Sequence, residues 1–197
     1  MSVKPAPADH LIDPLLAGRW SPRAFSSEAV GSEQIKSILE AARWAPSSSN
    51  IQPWRFLVWD RNTDANAYDR AFATLVPFNQ AWVSGCPVLV AACANTVNQK
   101  GEPNRTAWYD TGAAAFSLTL QAHALGLAAH QMAGFDPALL RTAFEIPAEF
   151  EAIAMIAIGH HGDAQLLNDK LREREHAPRA RLPLGEIAFA GEWGKTV

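Results

Sequence analysis

Two arginines flank a serine near the start of the chain, in Arg19-Trp20-Ser21-Pro22-Arg23. Guanidinium groups stay charged and donate paired N–H bonds, so this spacing suits an oxygen-rich anion. A second basic pair, Arg179 and Arg181, lies far along the sequence. Each pair taken alone reads as solvated surface. Brought together, the four would make a phosphate clamp, with Ser21 adding a hydroxyl donor. Spacing alone leaves both readings open.

A second polar cluster is the proline-bounded stretch Pro46-Ser47-Ser48-Ser49-Asn50-Ile51-Gln52-Pro53-Trp54. Its serines and asparagine can simply close a turn or cap the next element. They can also face a flat polar heterocycle, since Asn50 offers both a donor and an acceptor to a pyrimidine edge. His123, His130, His160 and His161 have no cysteine or carboxylate at metal-ligand spacing, so they read as satisfied structural histidines. No Gly-x-Gly-x-x-Gly follows a strand, and no Ser-His-Asp or Cys-His order recommends a hydrolase.

These residues need a scaffold. The 197 residues are 48% hydrophobic, enough for one core. The expected organisation is a flexible N-terminus over 1–8 and a single domain over 9–197. The net charge of -3 gives no support to nucleic-acid or anionic-membrane binding. Without a leader pattern or a spanning apolar run, the expected compartment is the cytoplasm. Cys86 and Cys93 share one apolar stretch; their odd separation predicts opposite strand faces and reduced, buried thiols. Seven tryptophans suggest aromatic surface that a partner or a flat ligand must cover.

Patterning predicts helices over 9–18, capped by Asp9, and over 32–45, capped by Ser32 and stopped by Pro46. A weaker helical pattern covers 64–76. Residues 54–60 and 87–95 read as strands, the second buried on both faces. The stretch 106–125 reads as a helix apolar nearly all round, which predicts a subunit interface. A short strand over 127–132 follows. Asp136-Pro137 starts a helix with Leu139, Leu140, Ala143 and Phe144 inward, closed by Ile146-Pro147. Residues 152–159 form a buried strand, 165–174 a possible helix, and the tail lies across another surface. Strands and helices do not alternate cleanly, so the fold class is α+β.

Further pieces fall in order along the chain: Asp110-Thr111-Gly112-Ala113-Ala114-Ala115 opening the long helix, His123-Ala124-Leu125-Gly126-Leu127 near its end, Gly134-Phe135-Asp136-Pro137, a strand ending in Gly159-His160-His161, and Arg179-Ala180-Arg181-Leu182-Pro183. With the Arg-x-Ser-x-Arg start and the serine-rich turn, this ordered set, from about residue 10 to about 190, resembles the FMN-dependent nitroreductase family.

The resemblance implies a nitroreductase-like α+β fold. A central, mainly antiparallel sheet is flanked by helices in an intertwined homodimer, with the C-terminal tail wrapping the partner and FMN at the interface. It implies that Arg19, Ser21, Arg179 and Arg181 hold the phosphate and ribityl chain, that Arg23 lies near flavin N1 and O2, and that Trp20 contributes main-chain contacts. Asn79, in Pro77-Phe78-Asn79-Gln80, would bond the pyrimidine ring, and the backbone of Ala133-Gly134 would lie beside N5. Pro46, Ser47, Ser48 and Asn50 would come from the other subunit. Two departures stand out. Ala133 replaces an acidic residue found in some members. Trp82 falls where some members carry a lysine, leaving Arg23 the sole cation beside N1.

The implied activity is a ping-pong oxidoreductase. NADH or NADPH passes hydride to the flavin, and a nitroaromatic, quinone or related electrophile takes the electrons. No side chain is assigned as catalytic. The implied partners are a second copy of the chain and a small-molecule acceptor. Alternatives are a non-catalytic FMN store or sensor, or a flavin enzyme of unusual oxidation or dehalogenation. The acceptor and the choice of nicotinamide are not written in the residues.

Overall fold

In the computed structural model, residues 4–98 and 100–197 are described. The expectation of a flexible start falls outside them for residues 1–3. Four strands form one antiparallel sheet in the order β1-β2-β4-β3: β1 Trp54–Asp60, β2 Val88–Asn95, β3 Ala128–Met132 and β4 Phe150–Gly159. Seven α-helices accompany it among the described residues: α1 Pro14–Gly18, α2 Ser32–Arg43, α3 Ala65–Phe72, α4 Pro77–Val83, α5 Ala107–Ala124, α6 Pro137–Phe144 and α7 Asp169–His176. The class is α+β, as the absence of strand-helix alternation predicted.

The two faces of the sheet carry two cores. On one side, Val88, Val90, Ala92, Ile156 and Ile158 meet α2 and α5 through Ile38, Ala42, Ala114, Leu118 and Ala122. On the other, Leu89, Ala91, Met155 and Ala157 meet Tyr68, Ala71, Trp82, Val83, Leu140 and Leu171. This alternation along β2 and β4 is the period-two signature of a strand covered on both faces. Fully burying a leucine such as Leu89 or Leu118 contributes roughly 1.5–3 kcal/mol.

Several local expectations shift. The first helix starts later than predicted: Asp13, not Asp9, accepts from the Leu15 N–H, with Pro14 in the first turn. Gly31, not Ser32, is the cap of α2, because Gln34 reaches back to the Gly31 N–H at 3.0 Å. Helix α2 ends at Arg43. Helix α6 begins as predicted, with Asp136 accepting from the Ala138 and Leu139 N–H groups. Leu139, however, is exposed, and the helix closes on Glu145 in the left-handed region (φ 52°) rather than on Ile146-Pro147. Cys86 and Cys93 are free and buried but belong to the same core layer; Cys86 precedes β2, so strand alternation never governs it. Residues 4–6 are tied back along the fold: the Ala6 N–H donates to Ala17 O, and Lys4 Nζ to Glu175 O. No helix among the described residues is long and apolar enough to cross a membrane.

Candidate functional site

The predicted residues fall into three groups. The first lies where α1 ends. Arg19 Nη1 donates to Ser21 Oγ at 3.4 Å. Arg179 Nη1 reaches back from the tail to Ala17 O at 2.6 Å and Lys4 O at 2.8 Å, which pins the tail beside Arg19. Burial pulls the Arg19 guanidinium below the usual arginine range, and Arg179 and Arg181 push it the same way. Arg179 is lowered by burial and then by Arg181. Three like charges from opposite ends of the sequence thus feel one another. Among the described residues, none of the three pairs with a carboxylate. Arg181 is exposed, and with Arg179 it lines a cleft of about 750 Å³ between residues 6–12 and the tail.

Trp20 and Arg23 continue this group. The Trp20 ring lies between Lys4 Nζ, 4.8 Å from its centroid, and His161, 6.0 Å away. The main chain at Arg23 is held by a residue that sequence reading missed. Buried Glu175, on α7, accepts from the Arg23 N–H at 2.8 Å and the Ala24 N–H at 3.2 Å. Arg23 Nε is buried and has no hydrogen-bond partner among the described residues. A second missed residue is His130. Its Nδ1 lies 2.8 Å from Pro22 O, and burial drives its pKa down to about 4. The neutral ring therefore donates through Nδ1 to the Pro22 carbonyl.

The second group is Asn79, Ala133 and Gly134. Gly134 O accepts from the Val76 N–H at 3.1 Å and from Asn79 Nδ2 at 2.9 Å. Ala133 O accepts from the Phe135 N–H at 3.0 Å. Both carbonyls are thereby engaged, while the Gly134 N–H has no acceptor among the described residues. A Cβ on Gly134 would lie 2.5 Å from Asn79 Nδ2 and 2.9 Å from Val76 Cγ2, so a glycine is required for Asn79 to approach. Ala133 is exposed. Trp82 is buried beneath Asn79 and gives its indole N–H to Asn79 Oδ1 at 3.2 Å.

The third group, Pro46, Ser47, Ser48 and Asn50, is an exposed turn, with Ser47 partly covered. Ser49, Asn50 and Gln52 have φ values of 49°, 54° and 52°, an unusual density of left-handed non-glycine residues. Such strain persists where the surroundings over-determine it. Here Asp110 Oδ2, at the start of α5, accepts from the Ser48 N–H at 3.2 Å and from Thr106 Oγ1 at 2.9 Å. Ser47 Oγ accepts from the Gln52 N–H at 3.0 Å.

The first and third groups are separated by α5. Asp110 opens that helix and His123 closes it. His123 lies beside the arginines: its pKa is lowered by burial and then by Arg19, and a Cβ on Gly18 would meet its Nε2 at 2.9 Å. At 1.5 Å per residue, the two ends stand about 20 Å apart. The helix also carries exposed aromatic residues: Trp108 and Tyr109 in its first turn, with Tyr109 at 81%, and Phe116 between the two ends. Leu182, Leu184, Ile187 and Trp193 of the tail are exposed too.

The profile of the Nitroreductase family matches residues 16–160, which include every strand and helices α2 to α6. The 15.4 kDa protein in the ask 5′ region of Mycolicibacterium smegmatis is 39% identical over 71% of this chain and 97% of its own length. An NADH dehydrogenase of Thermus thermophilus is 27% identical over 87% of this chain and 91% of its own. Among solved structures, an oxidoreductase containing FMN superposes with a TM-score of 0.91 at 37% identity, covering 97% of both chains. A four-stranded antiparallel sheet in the order β1-β2-β4-β3, a basic cluster joining both chain ends, and a profile match over most of the length place this chain in the nitroreductase family.

Proposed function

We propose that the protein is an FMN-dependent oxidoreductase that works as a homodimer. It draws on NADH or NADPH and reduces nitroaromatic, quinone or related electrophilic small molecules. The observation that carries the reading is the cluster of Arg19, Arg179 and Arg181, mutually repelling and without a neutralising carboxylate among the described residues. Such a cluster stores repulsion that a phosphate relieves. The residues fit the rest of FMN as well. Arg23 Nε is an orphaned buried donor, which costs free energy unless an acceptor meets it. The Gly134 N–H is a second unused donor, in a cradle that a Cβ would fill.

Bound FMN supplies a two-electron carrier that takes hydride from a nicotinamide and returns it to an acceptor. The chain supplies binding and electrostatics. Arg19, Ser21, Arg179 and Arg181 hold the phosphate end. Arg23 would offer positive charge to the N1 and O2 edge of the flavin, stabilising its reduced form. Asn79 holds the Gly134 carbonyl, and the Gly134 N–H would donate to N5. The 20 Å gap between arginines and turn supports a site completed by a second copy, whose Pro46, Ser47, Ser48 and Asn50 cover the ring. The exposed aromatic residues of α5 support the same assembly.

The test is direct. Purified protein is expected to be yellow, to release FMN on denaturation, and to bleach when mixed anaerobically with NADH or NADPH. Colourless protein that refuses added FMN overturns the reading. Yellow protein that keeps its colour with both nicotinamides leaves a flavin-binding protein without this activity.

A further inference from the structure

The amide of Asn79 has two possible orientations, and its neighbours allow one. Its Oδ1 side meets the Trp82 indole N–H at 3.2 Å, and its Nδ2 side meets Gly134 O at 2.9 Å. Flipped, the amide would set donor against donor and acceptor against acceptor. An indole nitrogen can only donate, so Trp82 dictates which end of Asn79 faces Gly134. Gly134 O is then held from two sides, by Asn79 and by the Val76 N–H. The next contact, from the Phe135 N–H to Ala133 O, fixes the preceding peptide. With both peptides locked, the Gly134 N–H is left without an acceptor among the described residues.

Trp82 is itself immobilised. It is 3% exposed, its ring lies 4.5 Å from that of His130 and 6.1 Å from that of Phe25, and His130 is bonded to Pro22 O. One buried contact line therefore runs from the Arg19–Arg23 segment through His130, Trp82 and Asn79 to Gly134.

We propose that Trp82 is a positioning residue: through its indole N–H it orients the Asn79 amide, and through that amide it holds the Gly134 N–H in place for the flavin. The proposal rests on the FMN reading of the site.

The experiment compares FMN-loaded wild type with Trp82→Phe, Asn79→Ala, the double variant and Phe25→Leu. Trp82→Phe keeps a ring against His130 and deletes the N–H. The expected result is a shifted long-wavelength flavin band and reduction by NADH about fivefold slower, with the FMN Kd within about twofold of wild type, in line with one mispositioned hydrogen bond. Asn79→Ala should shift the band the same way, and adding Trp82→Phe to it should change nothing more, because Trp82 acts through Asn79. Phe25→Leu loosens the packing around Trp82 but leaves its N–H, so it should leave the band in place. The proposal is overturned if the Trp82→Phe band and reduction rate match wild type, if its effect adds in full to that of Asn79→Ala, or if Phe25→Leu reproduces it. Wild type that takes up no FMN removes the reading of the site itself, a result distinct from any of these.

Discussion

The Ser48 N–H donates to Asp110 Oδ2 at 3.2 Å, so the strained turn is fastened to the first turn of the longest helix. Asp110 is buried and holds Thr106 Oγ1 with the same oxygen. Asp110→Ala leaves the Ser48 N–H without its acceptor and Thr106 Oγ1 with Asn104 Oδ1 at 3.2 Å, a cost of about 1–3 kcal/mol. The expected result is a Tm lower by roughly 3–8 °C and weaker FMN retention. Asp110→Asn keeps an acceptor and should lose less than half as much. Equal thermal midpoints for the alanine variant and wild type would refute the anchoring role.

The arginine cluster predicts opposite responses to anions and to mutation. Inorganic phosphate should raise the Tm of flavin-free protein by relieving the repulsion among Arg19, Arg179 and Arg181. Replacing Arg19 and Arg181 together with alanine should abolish that gain. It should also weaken FMN binding by about a hundredfold or more, since each removes a charge-assisted bond. Fluorescence titration and thermal melts measure both effects; an unchanged FMN Kd counts against the clamp.

Gly134→Ala tests the cradle. The new Cβ must displace Asn79 Nδ2 and Val76 Cγ2, at an overpacking cost of about 1–3 kcal/mol. The expected outcome is a folded, less stable protein with impaired flavin uptake. A Gly112→Ala control, at a position where a Cβ meets nothing within 4 Å of its own chain, should show no loss of monomer packing.

His130 sets a pH dependence. Burial lowers its pKa to about 4, below the ordinary 6.5, with Arg23 and Arg19 acting in the same direction and bonds from the Pro22 and Ser21 backbone opposing. The unfolded chain therefore takes up a proton that the folded chain refuses. The stability contribution is full above pH 6.5 and falls by up to ~3 kcal/mol as the pH drops through 6.5 toward 4. His130→Asn keeps a donor for Pro22 O and cannot titrate. Its stability should fall less steeply with acidification in urea denaturation, and a slope parallel to wild type refutes the assignment.

The exposed face of α5 predicts assembly. Phe116→Asp puts a charge on that face, where Phe116 is 44% exposed. Light scattering should show the variant as a folded monomer that has lost FMN. A variant that stays dimeric and yellow argues for another interface.

Much of the scaffold was legible because its signals are local. The strands at β2 and β4 announced themselves by apolar runs, β1 by its aromatic and aliphatic residues, and α6 by Asp136-Pro137. The same Asp-Pro signal stood at Asp13-Pro14 and marks the true start of α1, four residues after the predicted cap. Helix α4 escaped prediction because seven residues are too few to show a period. The basic residues of the site were visible by type, but the groups that aim them were not. Glu175 acts on Arg23 across 152 positions of sequence, and His130 on Pro22 across 108. Nothing near a lone glutamate or histidine announces such a contact. The Trp82 contact escaped the sequence for the same reason: its partner is set by the turn of α4, an element that periodicity did not reveal.

Helix α5 carries the anchor of the turn at one end and abuts the arginines at the other. In the proposed dimer, each cleft therefore mixes the opposite ends of two different rods. A chain lacking Arg19 and Arg181 still owns a sound turn, and a chain lacking Asp110 still owns sound arginines. Co-expressed, two crippled chains should complement each other: every hybrid contains one cleft built wholly from undamaged halves, and yellow colour returns to a mixture of parents that are each pale alone.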